Sequence, residues 1–254
     1  MIALTLSSVD IIPTMNELTV VIQAGGESKR MGKSKALVPF CGSPLICRGL
    51  KRLGPIADEL IITTNDQNSL SFLCTRVTYD KLKLYSDLFN ERSALNGLYT
   101  ALFYATKPFV AIVACDMIFP SAPILLMQRD KLVETGADVA VPRVTHGFEP
   151  FHAVYRRETC LPLVKAALEA GETKATIWYE QARIVEFDRQ TMLDIDPRGG
   201  SFINVNTPDE LAAVEQRILE GTMTKADDNL YVQDPSNPEF FSLREACDCG
   251  FTLT

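Results

Sequence analysis

A glycine- and cation-rich segment near residue 25 is the part of this sequence whose residue types most directly suggest chemistry. Residues 23–35 read Gln-Ala-Gly-Gly-Glu-Ser-Lys-Arg-Met-Gly-Lys-Ser-Lys, so four cations lie between Lys29 and Lys35. Glycine lets the backbone approach a ligand closely and direct N–H groups at phosphate oxygens, and cations neutralise phosphate charge. In a chain of net charge −7, this concentration of positive charge indicates an anionic ligand such as a triphosphate.

Two well-known phosphate-binding patterns fit this segment poorly. A P-loop requires a glycine five positions before Gly32, and that position holds Glu27, whose negative charge opposes phosphate. The glycines at positions 25, 26 and 32 also do not match the G-x-G-x-x-G spacing of a dinucleotide site. A solvent-exposed basic loop that binds nothing is the remaining alternative at this point.

A carboxylate follows one of the most apolar runs in the chain. Asp116 comes directly after the segment Phe109–Cys115, and a carboxylate at the end of a buried strand faces the ligand crevice of an open α/β sheet. Magnesium in such sites is bound through one or two carboxylates together with substrate phosphates. Asp116 is therefore predicted to hold a metal ion, because the alternative of a helix cap would require a helix much closer downstream.

Alternating strand-like and helix-like segments must position these residues. Short apolar runs predict strands at Leu18–Ile22, Glu59–Thr64, Phe109–Ala114 and Ala137–Val141. Predicted helices begin at Ser43-Pro44, at Ser93, and at Thr207, where Glu210 completes a capping box. Strands that alternate with helices imply crossover connections and a mostly parallel sheet, in which ligands bind at the carboxyl ends of the strands.

The order of the motif residues resembles a known signature. Residues 24–32, followed by Lys35 and by Gly42-Ser43-Pro44-Leu45, resemble the signature of nucleotidyltransferases built on a Rossmann-like sheet. Within that superfamily, the sequence is most similar to the molybdenum cofactor guanylyltransferases, from about Leu18 to Glu220. The resemblance implies a three-layer α/β/α Rossmann-like fold with a mostly parallel central sheet.

The resemblance also implies roles for the matching residues. Asp116 corresponds to the family's magnesium aspartate, and Lys35 and Arg30 are expected to stabilise the transition state and the leaving pyrophosphate. The expected nucleotide-binding residues are Gln23, Ala24, Gly25, Gly26, Gly32, Lys35, Asn65 and Asp87. Asn65 and Asp87 are residue types that are also common in turns, so a purely structural role stays open for both.

Two later segments match the family less specifically. Phe202–Pro208 matches an Asn-x-Asn-Thr-Pro element, in which Asn204 and Asn206 would share one face of a strand. Asn206 is the candidate to complete the metal site, and the alternative is that the element only ends a strand and caps a helix. His152 lies in a segment that resembles a later core strand, and a structural role is favoured over contact with pterin or phosphate.

The reaction implied by the resemblance is transfer of GMP from GTP to the molybdenum–molybdopterin cofactor, with Mg²⁺ and release of pyrophosphate. GTP, the molybdopterin cofactor, and molybdoenzymes or their delivery chaperones are the implied partners. Gly25 favours GTP because CTP-using relatives tend to carry alanine there, whereas Gln23 departs from the aliphatic residue usual in the family. The alternatives are use of CTP or another nucleotide, a sugar-phosphate acceptor, and a non-catalytic nucleotide-binding regulatory module.

Composition limits the class of protein and its organisation. An acidic chain is a poor candidate for nucleic-acid binding, and we expect no signal peptide or membrane span. Seven scattered cysteines favour a reducing, cytoplasmic location, with a metal or redox role for Cys247 and Cys249 as a minor alternative. We predict an extension at residues 1–14, a nucleotidyltransferase domain at 15–221 and a tail at 222–254.

Overall fold

The computed structural model describes residues 17–25, 35–73, 82–89, 91, 93–196, 200–202, 205 and 207–220. The strands in this part of the chain are β1 (Leu18–Gln23), β2 (Pro39–Phe40), β3 (Ser43–Pro44), β4 (Glu59–Thr63), β5 (Leu82–Tyr85), β6 (Phe109–Ala114), β7 (Val139–Val144), β8 (Gly147–Phe148), β9 (His152–Arg156) and β10 (Ile184–Phe187). The helices are α1 (Leu45–Leu53), α2 (Gln67–Leu70), α3 (Ala94–Tyr104), α4 (Ala122–Thr135), α5 (Arg157–Glu169), α6 (Arg189–Ile195) and α7 (Pro208–Glu220).

The main sheet has the strand order β10-β7-β9-β6-β1-β4-β5, and β8 pairs with β7. Strands β6, β1, β4 and β5 run parallel to one another, and β10 runs parallel to β7. Only β9 and the short β8 pair in the antiparallel direction within the described part of this sheet. The prediction of a mostly parallel sheet with crossover helices is confirmed.

The alternation of side chains along β1 explains why this strand lies at the centre. Leu18, Val20 and Ile22 belong to one hydrophobic core, with residues of α1 and α4, whereas Val21 belongs to the core formed with α3 and α5. Successive residues of a strand point to opposite faces, so a strand that is apolar on both faces must lie between two layers of helices. This gives the three-layer arrangement.

Sequence prediction located most element boundaries, with one clear error. Thr207 and Glu210 form the predicted capping box, in which each residue's backbone N–H donates to the other's side-chain oxygen at 3.2 Å. Ser43 does not cap α1, because it pairs with Phe40 in a two-stranded hairpin and the helix begins at Leu45. The turn of that hairpin, Cys41-Gly42, has φ angles of 48° and 83°. A two-residue hairpin turn favours such positive φ values.

The parallel strands end along one side of the sheet, which we call the carboxyl edge: the last residues of β1, β4, β5 and β6 and the loops that follow them. The opposite side, where the same strands begin, is the amino edge. Within the described ranges, no helix is long and apolar enough to cross a membrane. The proposed extension and tail, including Cys247 and Cys249, lie outside the described residues, and the domain boundaries stay a prediction.

Candidate functional site

A lysine and an aspartate that are distant in sequence meet at the carboxyl edge. Lys35 Nζ donates a hydrogen bond to Asp116 Oδ2 at 2.7 Å, and the two side chains are 13% and 25% exposed. Ala36, the neighbour of Lys35 in a 3₁₀ turn, is fully buried and holds the end of the cation-rich segment against the core. The pair places one fixed cation and one carboxylate at the point predicted to bind phosphate and metal.

Backbone contacts hold Asp116 in place beyond the end of β6. The N–H of Met117 donates to the carbonyl of Ala114 at 3.2 Å, which closes a turn around Asp116. The carbonyl of Asp116 accepts from Val205 N–H at 3.3 Å. Val205 is the middle residue of the predicted Asn-x-Asn element, and it is the residue of that element that the structure places beside Asp116. Asn206 itself lies outside the described residues, and its metal role stays a prediction.

A second polar group lies at the ends of β1, β4 and β5. Asn65 Nδ2 donates to Asp87 Oδ2 at 2.8 Å and lies 3.5 Å from the carbonyl oxygen of Gly25. A Cβ atom added to Gly25 would lie 2.9 Å from Asp87 Oδ2, so the absence of a side chain lets the carboxylate approach this closely. The structure therefore joins three of the predicted nucleotide-binding residues in one cluster.

Gln23 and Ala24 connect this cluster to the centre of the sheet. The N–H of Ala24 donates to Thr63 O at 2.7 Å, and the carbonyl of Gln23 accepts from Cys115 N–H at 2.9 Å. Gln23 therefore lies between the Asn65–Asp87 side and the Asp116 side of the carboxyl edge. Its side-chain nitrogen Nε2 is buried and has no hydrogen-bond partner among the described residues.

Glu149 is a carboxylate beside the site that sequence analysis did not single out. The carbonyl of Phe151 accepts from Ala114 N–H at 3.0 Å, and Phe151 N–H donates to Glu149 Oε1 at 3.2 Å, which places this turn next to the end of β6. Burial raises the pKa of Glu149, and the charge of Asp116 raises it further against the effect of the Phe151 hydrogen bond. In the sequence, Glu149 is an acidic residue three positions before β9, and nothing in the local pattern indicates that Asp116 is its neighbour.

His152 has the surroundings of a structural histidine. It is fully buried, its Nε2 accepts from the backbone N–H of Ser121 at 3.0 Å, and its ring contacts Phe202 edge-on at a centroid distance of 5.3 Å. Burial lowers its pKa to about 4, so the ring is neutral at physiological pH. These contacts support the structural role that the sequence favoured.

The thiol next to Asp116 is unsuited to nucleophilic chemistry. Burial raises the pKa of Cys115 to about 12, and the charge of Asp116 adds to that effect. Since the thiolate is the reactive form, Cys115 is inert at neutral pH. Three further predicted site residues, Gly26, Arg30 and Gly32, lie outside the described part of the chain, and their roles stay predictions.

The residues present fit a cation that is shared with phosphate groups. Across the described ranges, no group of three His, Cys, Asp or Glu side chains is arranged to hold a metal ion. Magnesium is commonly bound by one or two carboxylates, with phosphate oxygens and waters completing its six ligands. Asp116 provides such a carboxylate, and Lys35 provides a second positive charge for the same phosphates.

Comparison with known families decides the class of this protein. The profile of the MobA-like NTP transferase domain matches residues 20–185, which is more than half of the chain. The chain belongs to the MobA-like NTP transferase family. A molybdenum cofactor guanylyltransferase of Desulfosudis oleivorans is 30% identical over 211 residues, covering 83% of this chain and 100% of the relative. A probable molybdenum cofactor guanylyltransferase of Natronomonas pharaonis is 31% identical over 213 residues, covering 80% and 100%.

Solved structures show the same fold as this MobA-like domain. Molybdopterin-guanine dinucleotide biosynthesis protein A from Archaeoglobus fulgidus superposes with a TM-score of 0.67 at 24% identity, covering 80% of this chain and 99% of that protein. The 4-diphosphocytidyl-2C-methyl-D-erythritol synthase of Anaerococcus prevotii gives a TM-score of 0.59 at 10% identity, covering 80% of this chain and 98% of that one. The predicted fold and family resemblance are confirmed, and the MobA-like chain is a nucleotidyltransferase.

Proposed function

We propose that this MobA-like enzyme acts in the cytoplasm and transfers GMP from GTP to the molybdenum–molybdopterin cofactor with Mg²⁺, releasing pyrophosphate. The observation that carries the proposal is the 2.7 Å pair between Lys35 and Asp116 at the carboxyl edge. The names of relatives about 30% identical over nearly all of their length support the choice of substrates. The free thiols of the described Cys115 and Cys160 agree with a reducing compartment.

The proposed reaction requires little proton transfer. A terminal phosphate oxygen of molybdopterin attacks the α-phosphorus of GTP, and the bond to the β-phosphate oxygen breaks as pyrophosphate leaves. Because the attacking phosphate is already ionised at neutral pH, no general base is required. This agrees with the properties of the nearest candidates, since His152 is buried and its pKa of about 4 makes it a weak base, and the Cys115 thiol is protonated. Catalysis then depends on positioning two anions and on charge stabilisation.

The chain's own residues divide this work between the two sides of the carboxyl edge. Lys35 stabilises charge that develops on the transferring and leaving phosphates, and Asp116 would hold the cation. When bound there, Mg²⁺ would neutralise phosphate charge and make the phosphorus more electrophilic. Asn65 and Asp87 position the nucleoside at the ends of β4 and β5. Arg30 and the backbone N–H groups between Gly25 and Gly32 are proposed to complete the triphosphate site.

The contact of Gly25 with Asp87 supports the preference for GTP over CTP. An alanine at position 25 would bring its methyl group to 2.9 Å from Asp87 Oδ2, so the carboxylate or the turn would have to move. Gly25 therefore lets the Asp87 carboxylate lie at the nucleoside side of the site, and the expected preference for GTP rests on the glycine that GTP-using relatives tend to carry at this position. Calorimetric titration with GTP and with CTP in magnesium tests this choice, and tighter binding of CTP would contradict it.

The deciding experiment is incubation of the protein with GTP labelled on the α-phosphate, Mg²⁺ and molybdenum-loaded molybdopterin. The proposal predicts labelled dinucleotide and one pyrophosphate for each dinucleotide formed. Omission of the acceptor or addition of a chelator should abolish both products. GTP binding without any transfer would instead indicate a regulatory module, and transfer only to a sugar phosphate would indicate a different acceptor.

A further inference from the structure

The side chain of Gln23 is exceptional in the central strand of the sheet. The other described residues of β1 are buried, and five of its six side chains are either apolar or, for Thr19, hydrogen-bonded to Glu59. Gln23 instead carries a buried Nε2 donor that has no acceptor among the described residues. Leaving a buried polar group unpaired is unfavourable, so an unpaired donor at the edge of a ligand site needs an explanation.

The carboxamide of Gln23 lies at the carboxyl edge, against the start of helix α3. A Cβ atom built on Gly97 in α3 would lie 3.3 Å from Gln23 Nε2, 3.4 Å from Oε1 and 3.6 Å from Cδ. The whole amide group therefore lies against the backbone of the first turns of α3, in space left by the missing side chain. Two residues later, Gly25 contacts the Asn65–Asp87 pair.

A purely structural role does not account for this arrangement. An aliphatic side chain would fill the same space against Gly97 without an unpaired donor. Within the described part of the chain, the amide makes no hydrogen bond from Nε2 that would secure α3 to the sheet. The polar group gains a partner only when a molecule with an acceptor enters beside it.

We propose that Gln23 is a base-reading residue whose Nε2 donates a hydrogen bond to the acceptor oxygen at the 6-position of a purine. This rests on the proposed function, since it assumes that a nucleoside triphosphate binds at the carboxyl edge. Guanine and hypoxanthine present an oxygen at that position, whereas adenine and 2,6-diaminopurine present an amino group that cannot accept.

The test compares binding of four triphosphates, namely GTP, ITP, ATP and 2,6-diaminopurine riboside triphosphate, to the wild-type chain and its variants by calorimetry in magnesium. Wild type should bind GTP and ITP better than the two 6-amino nucleotides. Gln23→Leu should reduce that preference about tenfold, the usual effect of losing one hydrogen bond to a buried partner. Gln23→Glu, which replaces the donor with an acceptor, should shift the preference towards the 6-amino nucleotides.

Stability measurements distinguish this role from a structural one. Because Gln23→Leu removes an unpaired buried donor, its melting temperature should equal or exceed that of wild type while the preference falls. Gly97→Ala, which brings a methyl group to 3.3 Å from Nε2, should reduce the preference in the same direction but less. The matched control is Gln190→Leu, at an exposed residue of α6 whose side chain, among the described residues, bonds only to Asp194 of the same helix, and it should leave the nucleotide preference unchanged.

The outcomes separate this inference from the proposed function. An unchanged preference for 6-oxo purines in Gln23→Leu, with wild-type stability, would overturn the role of Gln23 and leave the guanylyl transfer proposal intact. A lower melting temperature with unchanged preference would assign Gln23 to the core. Failure of wild type to bind any of the four nucleotides would instead overturn the proposed function.

Discussion

The two edges of the sheet differ in how completely their polar groups are hydrogen-bonded within the protein. At the amino edge, the buried carboxylate of Glu59 accepts hydrogen bonds from the hydroxyl of Thr19, from the backbone N–H and hydroxyl of Thr106, and from Lys83 Nζ, at 2.7–3.0 Å. Burial alone would raise the pKa of Glu59, but these hydrogen bonds outweigh burial and lower it. Both carboxylate oxygens of Glu59 are therefore paired within the protein itself.

At the carboxyl edge of the same strands, only some of the described polar groups are hydrogen-bonded within the protein. The Asn65–Asp87 pair is open to solvent, Gln23 Nε2 is unpaired among the described residues, and Glu149 is held near Asp116 with a raised pKa. The Lys35–Asp116 pair is the exception, and both of its members are expected to contact a ligand. A closed network stabilises the fold, whereas an incompletely paired one keeps hydrogen-bonding capacity for a substrate.

The largest expected effect comes from a substitution at the carboxyl edge, which should lower turnover in a protein that still folds. Asp116→Asn keeps the size of the side chain but removes the charge that pairs with Lys35 and would hold the cation. Turnover should fall on the order of 10²–10³-fold, as for loss of one charge-stabilising group. The control Asp130→Asn, on the exposed surface of α4, should keep wild-type turnover. Near-normal activity of Asp116→Asn would show that this edge does not carry the reaction.

The complementary change at the amino edge should affect stability instead. Glu59→Ala leaves several buried donors without an acceptor, so the free energy of unfolding should fall by about 3 kcal/mol. Chemical denaturation checks the value, and Glu134→Ala, which removes one member of an exposed ion pair, should cost less than about 1 kcal/mol. The KM for GTP should not change in folded Glu59→Ala protein. A rise in the KM for GTP in folded Glu59→Ala protein would show that the amino edge also contributes to nucleotide binding, contrary to the proposed difference between the edges.

His152 should make the stability of the fold depend on pH. Its pKa is 6.5 in an unfolded chain and about 4 in the folded protein, so between these values the unfolded state binds the proton more readily. Stability is therefore complete above pH 6.5 and falls as the pH is lowered towards 4, by about 3 kcal/mol in total.

Denaturation at a series of pH values tests this linkage. His152→Gln should flatten the dependence between pH 6.5 and 4, whereas the exposed His146→Gln should leave it as in wild type. The same slope in all three proteins would mean that other groups cause the loss of stability in acid.

The smallest expected effect concerns the close approach of Gly25 to Asp87. Gly25→Ala should weaken GTP binding about tenfold by displacing the Asp87 carboxylate. If the methyl group acts through that carboxylate, the same substitution should cost much less in an Asp87→Ala background. Calorimetry on the two single variants and the double variant measures this coupling. Additive effects would show that residue 25 acts on the nucleotide independently of Asp87.

Local patterns in the sequence located much of the fold. The run Phe109–Ala114 is strand β6 to the residue, and the Thr207 capping box begins α7 as its spacing indicated. The position of Asp116 at the carboxyl edge could also be predicted, because the apolar run that forms β6 shows in the sequence where that strand ends. The same reasoning failed at Ser43, where pairing with Phe40 outweighed the preference for a helix cap.

Contacts between distant segments were less accessible to sequence reasoning. The proximity of Glu149 to Asp116 depends on the antiparallel pairing of β9 with β6, and no local pattern indicates which strands become neighbours. The contact of Gln23 with Gly97 likewise depends on how closely α3 packs on β1. Sequence marked Gln23 as unusual, but only the structure showed that its nitrogen is buried and unpaired.

Two lysine–carboxylate pairs offer the most direct test of the difference between the edges. Lys35 Nζ lies 2.7 Å from Asp116 at the carboxyl edge, and Lys83 Nζ lies 2.8 Å from Glu59 at the amino edge. The measurement is GMP transfer by Lys35→Met and by Lys83→Met, each shown to be folded by its melting temperature. We expect turnover on the order of 10²–10³-fold below wild type for Lys35→Met and close to wild type for Lys83→Met. Equal losses in both variants, or full activity of Lys35→Met, would contradict a phosphate-transfer site at the carboxyl edge.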